Sequence, residues 1–414
     1  MVGSADAARA LELLEAAEGL ELLAWLAARG PVAAGEELAV GERLRERFAA
    51  ELVVAAMAQH ELRGRARAKF AEPERLLFTR DGLEQSSSEP VARHRAARYA
   101  GLPLVADLCT GIGGDLIALA DGRAALAVDR DPVHLRMALR NARAMGATEV
   151  AGACADVRHL RLDRLPPVFV DPARRAGGRR LPAGTSEPPL GWCLALAGHV
   201  TEVGIKAAPG IPLDLVPAGW EVELIADGHD LKEAVLWSPA MATTPRRATV
   251  LLGREAAHSL SMRPRPGPPG HEPCHSLVAR PGPGLPVRQP GAFLLDPNPA
   301  VTRAGLVEEL GRGLDAWKID DRVGFLSADH PMATPFGRPL AVEASLPWNL
   351  KRLRATLRAR RAGAVEIRKR GSAVDVEDLR RRLDLRGDRR LTVVLTRVLD
   401  RPWALVCRDP GEAG

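Results

Sequence analysis

Four aspartates follow one another through the middle of the chain, each at the end of a short, mostly apolar run. Asp107 follows Leu-Val-Ala, Asp129 follows Ala-Leu-Ala-Val, Asp156 follows Gly-Ala-Cys-Ala and Asp171 follows Val-Phe-Val. A carboxylate at such a place accepts hydrogen bonds from hydroxyl and amino groups, or holds a cation. Asp107 opens the segment Asp-Leu-Cys-Thr-Gly-Ile-Gly-Gly-Asp. Within it Gly111, Gly113 and Gly114 permit tight dihedrals and close approach of a ligand to the backbone. Asp129 comes 22 residues after Asp107, the spacing of a carboxylate that binds ribose hydroxyls.

The glycine-rich turn has three readings. A dinucleotide would seat its pyrophosphate on the helix N-terminus after the glycines, but Asp115 stands there and would repel it. A cationic, phosphate-free ligand such as S-adenosylmethionine, with its amino group and sulfonium, suits the same carboxylate. In the third reading Asp107 and Asp115 only cap the turn.

These residues need a scaffold that brings strand ends together. Short apolar runs at 104–106, 124–128, 168–170, 202–205, 221–225 and 249–252 alternate with helical stretches. That alternation predicts a βαβ succession and a mostly parallel sheet, whose ligands bind at the carboxyl edge of the strands. The predicted fold class is α/β: a Rossmann-like core with an N-terminal helical domain and a small C-terminal α+β domain. The expected boundaries are 1–95 for the helical domain, 96–255 for the core, 256–290 for a Pro/Gly-rich linker and 291–410 for the last domain. Leucines at 3–4 spacing from Ala10 to Ala28, interleaved with Glu, predict an amphipathic helix, and a second pattern runs from about Glu42 to Phe70. Leu391–Val398 and Trp403–Arg408 predict a terminal hairpin.

With all four acids in place, the segment 96–253 resembles the class I S-adenosylmethionine-dependent methyltransferases. The whole chain resembles a bacterial family of them that carries a C-terminal THUMP-like domain. Val170-Asp-Pro-Ala-Arg-Arg175, Ile205-Lys-Ala-Ala-Pro-Gly210, Leu231-Lys-Glu-Ala-Val-Leu-Trp237 and the ending Val393–Arg408 carry that likeness. The resemblance implies a donor site of Asp107, Cys109, Thr110, Gly111, Gly113, Gly114, Asp115, Asp129, Arg130 and Asp156, with Asp156 at the adenine amine. Asp171-Pro172 looks like the start of the motif that orients an exocyclic amine for in-line methyl transfer, a reaction governed by positioning. Ala173 and Arg174 stand where that motif has Pro and an aromatic. Arg174 and Arg175 are therefore candidate substrate contacts, by stacking or by holding phosphate, and Lys206 falls at the end of a predicted strand on the same edge.

Charge is distributed unevenly. The formal net charge is +6, and 52 of the 58 basic residues are Arg. Residues 1–60 are net acidic, whereas 351–390 alone carry +9. Lys351 to Arg361 holds six cations and no acid. A basic cluster is the electrostatic footprint of a phosphate backbone, so Arg354, Arg358 and Arg361 are candidate RNA contacts. Aromatics for stacking are scarce, with one Tyr and seven Phe. The partner expected on these grounds is RNA, tRNA or rRNA. The alternatives are a methyltransferase for a small molecule or protein, and a non-catalytic S-adenosylmethionine-binding RNA module. Five scattered cysteines without a CxxC pair argue against a zinc ribbon and against a disulfide framework. No metal, no membrane span and a cytoplasmic location are expected.

Overall fold

The computed structural model describes residues 4–33, 35–173, 175–176, 179–180, 185–252 and 274–411. They form two compact units. The first takes the described residues up to Trp220 together with Val235–Ala242; the second takes Glu221–Ala234, 243–252 and 274–411.

The first unit begins with α1 (Ser4–Glu15), α2 (Ala17–Arg29), α3 (Glu37–Arg45) and α4 (Ala50–Ala66). Each of the two helical patterns is thus realised as a pair of helices, the first broken at Ala16. Leu11, Leu14, Leu22, Leu23 and Leu26 are buried, while Leu20, in the same leucine series, is 48% exposed. The break shifts the helical phase, so one stripe cannot serve both helices. Their core is continuous with Ile112, Val133 and Met137 of the sheet-bearing region. The helices are therefore packed into the same unit as the expected methyltransferase core, not set apart as a domain ending at residue 95.

After α5 (Arg80–Gln85) and α6 (Glu89–Ala96) the chain enters an α/β succession. It runs β1 (Leu104–Leu108), α7 (Gly114–Leu119), β2 (Ala124–Asp129), α8 (Pro132–Ala144), β3 (Val150–Cys154) and β4 (Val168–Val170). A two-stranded ribbon, β5 (Arg175–Ala176) and β6 (Arg179–Arg180), then α9 (Leu190–Ala195) and β7 (Val203–Ala207) follow. The strands lie in the order β7-β4-β1-β2-β3 and all four pairings are parallel. Successive strands step away from β1 on one side, then return to its other side with β4. The order reverses between β4 and β2, so a crevice opens outside the carboxyl end of β1.

The second unit holds β8 (Glu221–Asp227), most of β9 (Asp230–Trp237), β10 (Arg246–Leu251) and β11 (Cys274–Val278). Strand β10 pairs parallel with β8 and antiparallel with β11. The division therefore departs from the expected boundary at 255, because α10 (Pro299–Ala304) packs on β8 and β10 and draws them to the C-terminal unit. Part of the expected linker is strand β11, a five-residue stretch between Pro-containing segments, and 253–273 lies outside the described residues.

The rest comprises β12 (Phe293–Pro297), α11 (Val307–Gly313), β13 (Trp317–Lys318), β14 (Leu326–Ala328), β15 (Gly337–Pro347) and α12 (Leu350–Ala359). It ends with β16 (Ala362–Lys369), α13 (Val376–Arg382), β17 (Arg389–Val398) and β18 (Arg401–Arg408). Their sheet runs β13-β14-β12-β15-β18-β17-β16. The predicted hairpin is β17–β18, and Leu399 and Asp400 at its tip both have positive φ, as a two-residue hairpin turn requires. Leu353 and Leu357 of α12 and Leu379 of α13 are buried against this sheet, which leaves the cations between them on the outer face.

Candidate functional site

The crevice at the carboxyl ends of β1, β2 and β4 is a cavity of about 660 Å³, within the size range of cofactor sites. Among the described residues eight carboxylates line it, against two permanent cations, Arg130 and Lys206. Such a wall disfavours a pyrophosphate and favours a ligand carrying positive charge. The residues present thus fit S-adenosylmethionine.

The turn after β1 is shaped by its backbone. Cys109 has φ +63°, an uncommon value for a residue with a side chain. Its amide donates to Val128 O across the strand ends. Burial, then the nearby Asp129, pushes its thiol well above the ordinary range, so it stays neutral. Gly111 (φ +54°) has open space where a Cβ would stand. Gly113 (φ +87°) does not; a Cβ there would lie 2.9 Å from Ala138 Cα. Gly111 therefore serves the cavity and Gly113 serves the packing of α8.

Asp129, at the end of β2, braces this turn: its Oδ2 accepts from Gly111 N at 2.8 Å and its Oδ1 from Asp131 N at 2.9 Å. A carboxylate has about four acceptor sites, so both oxygens retain capacity for ligand hydroxyls. Cys109, Thr110, Gly111, Gly114, Asp115, Asp129, Arg130 and Asp156 all line the cavity.

Asp107 and Gly113 do not line it. Asp107 is fully buried, with Oδ2 accepting from Thr110 Oγ1 at 2.6 Å and Oδ1 lacking a partner among the described residues. Burial, then the charge of Asp115, pushes its carboxyl well above the usual range. Its place is beneath the turn. Asp115 also differs from expectation, because its charge is matched by Arg95, whose side chain is 1% exposed and lies over the Phe169 ring. Asp156 caps the turn 157–159 and is gripped by Arg158, with Oδ1 accepting from Nε at 3.0 Å and Oδ2 from Nη2 at 2.5 Å. That grip holds its carboxyl well below the usual range.

On the far wall stand Asp171, Pro172 and Lys206. Lys206 Nζ donates to Asp171 Oδ2 at 2.5 Å, and the lysine side chain is only 5% exposed. Parallel pairing of β4 with β7 sets Val170 beside Ile205, which places the two following side chains together. Arg174 lies outside the described residues, and Arg175 is described only in its backbone, which pairs with Arg180. Arg354, Arg358 and Arg361 belong to the second unit. Arg358 pairs with Asp384 at 2.9 Å and Arg361 with Asp388 at 2.5 Å, so the expected cationic surface is partly neutralised by its own neighbours.

Sequence reasoning missed the contribution of the N-terminal region. Asp81, Glu84 and Gln85 of α5, with Ser86, form one wall of the cavity. Lys69 Nζ donates to the carbonyls of Leu83 (2.7 Å), Glu84 (3.1 Å) and Ser86 (2.8 Å), fixing the end of α5. Gly82 lies so close to Ile112 that a Cβ would sit 2.4 Å from its Cγ2. The signals in the sequence were the lone lysine before Phe70 and the Thr79 cap of α5. Among the described residues no group of three His, Cys, Asp or Glu is placed to hold a metal ion, and no helix is long and apolar enough to cross a membrane.

Comparison with known proteins agrees with this architecture. Residues 337–409 match the THUMP domain-like family model, and residues 7–66 match a domain of unknown function. The chain is 38% identical over 350 residues to an uncharacterized S-adenosylmethionine-dependent methyltransferase of Mycobacterium tuberculosis, found in two strains. The match covers 80% of this chain and 88% of that one. A solved structure from Porphyromonas gingivalis W83, reported under the name of a methyltransferase, superposes with a TM-score of 0.70 at 20% identity. It covers 92% of this chain and 100% of its own.

Proposed function

The chain belongs to the S-adenosylmethionine-dependent methyltransferases, and from that premise we propose that it methylates a base of RNA, tRNA or rRNA, in the cytoplasm. The cofactor, when bound, supplies a methyl group on a sulfonium. Cys109, Thr110, Gly111, Gly114, Asp115, Asp129, Arg130 and Asp156 hold the donor, with Asp107 and Gly113 shaping the turn from behind. Asp129 holds hydroxyls and simultaneously fixes the turn.

The observation that carries the acceptor side is the Lys206–Asp171 pair on the cavity wall. Lys206 occupies one oxygen of Asp171 and thereby aims the other at the acceptor. Fixing that orientation is the main contribution a protein can make to an in-line transfer. Pro172 leads into Ala173, whose amide donates to Glu187 O and whose carbonyl accepts from Glu187 N, both at 2.9 Å. Support for RNA comes from the THUMP domain-like match and from the net +9 of residues 351–390. Arg354, Arg358 and Arg361 are proposed to hold phosphates, with Arg174 and Arg175 nearer the base.

Nucleoside mass spectrometry of total RNA from a deletion strain tests this reading. One methylated nucleoside should disappear, return with the wild-type gene and stay absent with Asp171→Ala. An unchanged nucleoside profile would reject RNA as the substrate and leave a small molecule or protein as acceptor. Neutralising Arg354, Arg358 and Arg361 together should weaken RNA binding. It should also flatten the salt dependence by about one unit of slope for each phosphate no longer held.

A further inference from the structure

A second cavity, of about 450 Å³, lies among the N-terminal helices and shares no lining residue with the acidic one. Leu23 and Leu26 of α2, Met57 of α4, and Val32 give it an apolar side. Arg63 of α4 also lines it and is only 6% exposed. Its Nε donates to Leu76 O at 3.0 Å. Its two terminal nitrogens make no hydrogen bond, and no carboxylate stands within ion-pair distance, among the described residues.

The acids around the cavity pair with other arginines, Arg65 and Arg67 of the same lining among them, or lie in solvent. Glu74 is held by Arg67 at 2.8 Å and acts on Arg63 only at longer range. Glu61 faces Arg65 at 3.9 Å and Arg80 at 3.8 Å. Glu37 is exposed. His60 is lowered by burial below its ordinary value and is neutral at pH 7. The terminal nitrogens of Arg63 thus offer an anion in the cavity donors that no side chain engages among the described residues. Burial, followed by the charge of Arg140, brings Arg63 down to about 10, so it still carries its charge at neutral pH.

We propose that this cavity binds a small organic oxyanion, with its carboxylate or phosphate on Arg63 and its aliphatic part against Leu23, Leu26, Val32 and Met57. The guanidinium fork matches either headgroup, and the volume lies within the range of small-molecule sites. The cavity lies wholly within the helical region, apart from the methyl acceptor's site.

Calorimetry on the full chain with octanoate, octyl phosphate and octanol tests it. At least one of the two anions should bind the wild type with roughly millimolar or tighter affinity, at least about tenfold better than octanol. The favoured anion tells a carboxylate ligand from a phosphate one. Arg63→Met should erase the preference for the anion over the alcohol. Ala27→Trp, which places an indole in the cavity from its exposed rim and leaves Arg63 in the chain, should abolish binding of all three and leave the S-adenosylmethionine affinity unchanged. Octanol binding as tightly as both anions, anion binding that survives Ala27→Trp, or no anion binding to the wild type would each overturn the proposal. Should Arg63→Met fail to fold, Ala27→Trp decides.

Discussion

Ion pairs around the acidic cavity of the first unit and those beside α12 in the second hold their charges in opposite ways. In the first, Arg95–Asp115 and Lys206–Asp171 are ion pairs whose cations are 1% and 5% exposed. In the second, Arg358–Asp384 and Arg361–Asp388 are formed by side chains that are 36–74% exposed. Water screens the second kind, and exposed pairs contribute little to stability. Breaking a buried pair leaves an uncompensated charge in a poorly solvated place. The same residue types therefore serve as rigid scaffold around the cavity and as exchangeable surface on α12. An arginine engaged by a screened partner can release it for a phosphate; Arg95 has no such freedom.

The largest effect should come from Arg95→Met, which strands Asp115 beside the turn. About 3–5 kcal/mol of stability should be lost in urea denaturation. A loss no greater than that from an exposed pair would erase the distinction between the two kinds of pair. Gly113→Ala comes next: positive φ and the Ala138 backbone at 2.9 Å should together cost about 1–3 kcal/mol. Gly111→Ala, with open space at its Cβ, should cost less stability while lowering S-adenosylmethionine affinity. Equal stability losses at the two glycines would mean that α8 does not constrain the turn.

Asp107→Asn should act in the opposite direction. A carboxyl whose folded value is raised binds its proton more tightly in the folded state. Its favourable contribution is complete below the ordinary carboxylate range and is lost as pH rises through the raised folded value. The amide should therefore make the protein at least as stable as wild type at neutral pH. It should also remove the part of the pH dependence that lies above the ordinary range. Denaturation curves across that interval check this, and a destabilised variant with unchanged pH dependence would contradict it. The smallest effect belongs to Asp384→Asn, which should leave the urea midpoint unchanged. By releasing Arg358 it should raise RNA affinity at low salt, measured by filter binding.

Much of the site is legible in the sequence. Asp129 and Asp171 lie at strand ends because a parallel βαβ succession brings every carboxyl edge to one side, and the sequence shows both the strands and their terminal acids. Asp107 resisted such reading. An acid that faces a ligand and one buried under a turn have the same neighbours in sequence, and only the packing of Thr110 and Asp115 separates them. The wall formed by α5 was hidden for a similar reason. Lys69 reaches carbonyls 14 to 17 residues away, an interaction with no periodic signature.

Sequence by itself determined the α/β class, the glycine-rich turn, the order of the acids, the terminal hairpin and the concentration of Arg in 351–390. These are local properties, set by side-chain period, glycine dihedrals and composition. Tertiary structure decided which charges are paired, which glycine serves a ligand and which a helix, where the compact units divide, and that Arg63 lines a cavity with no carboxylate within ion-pair distance among the described residues. Each of these depends on which residues distant in sequence come within a few ångströms, and therefore on how much water remains between them.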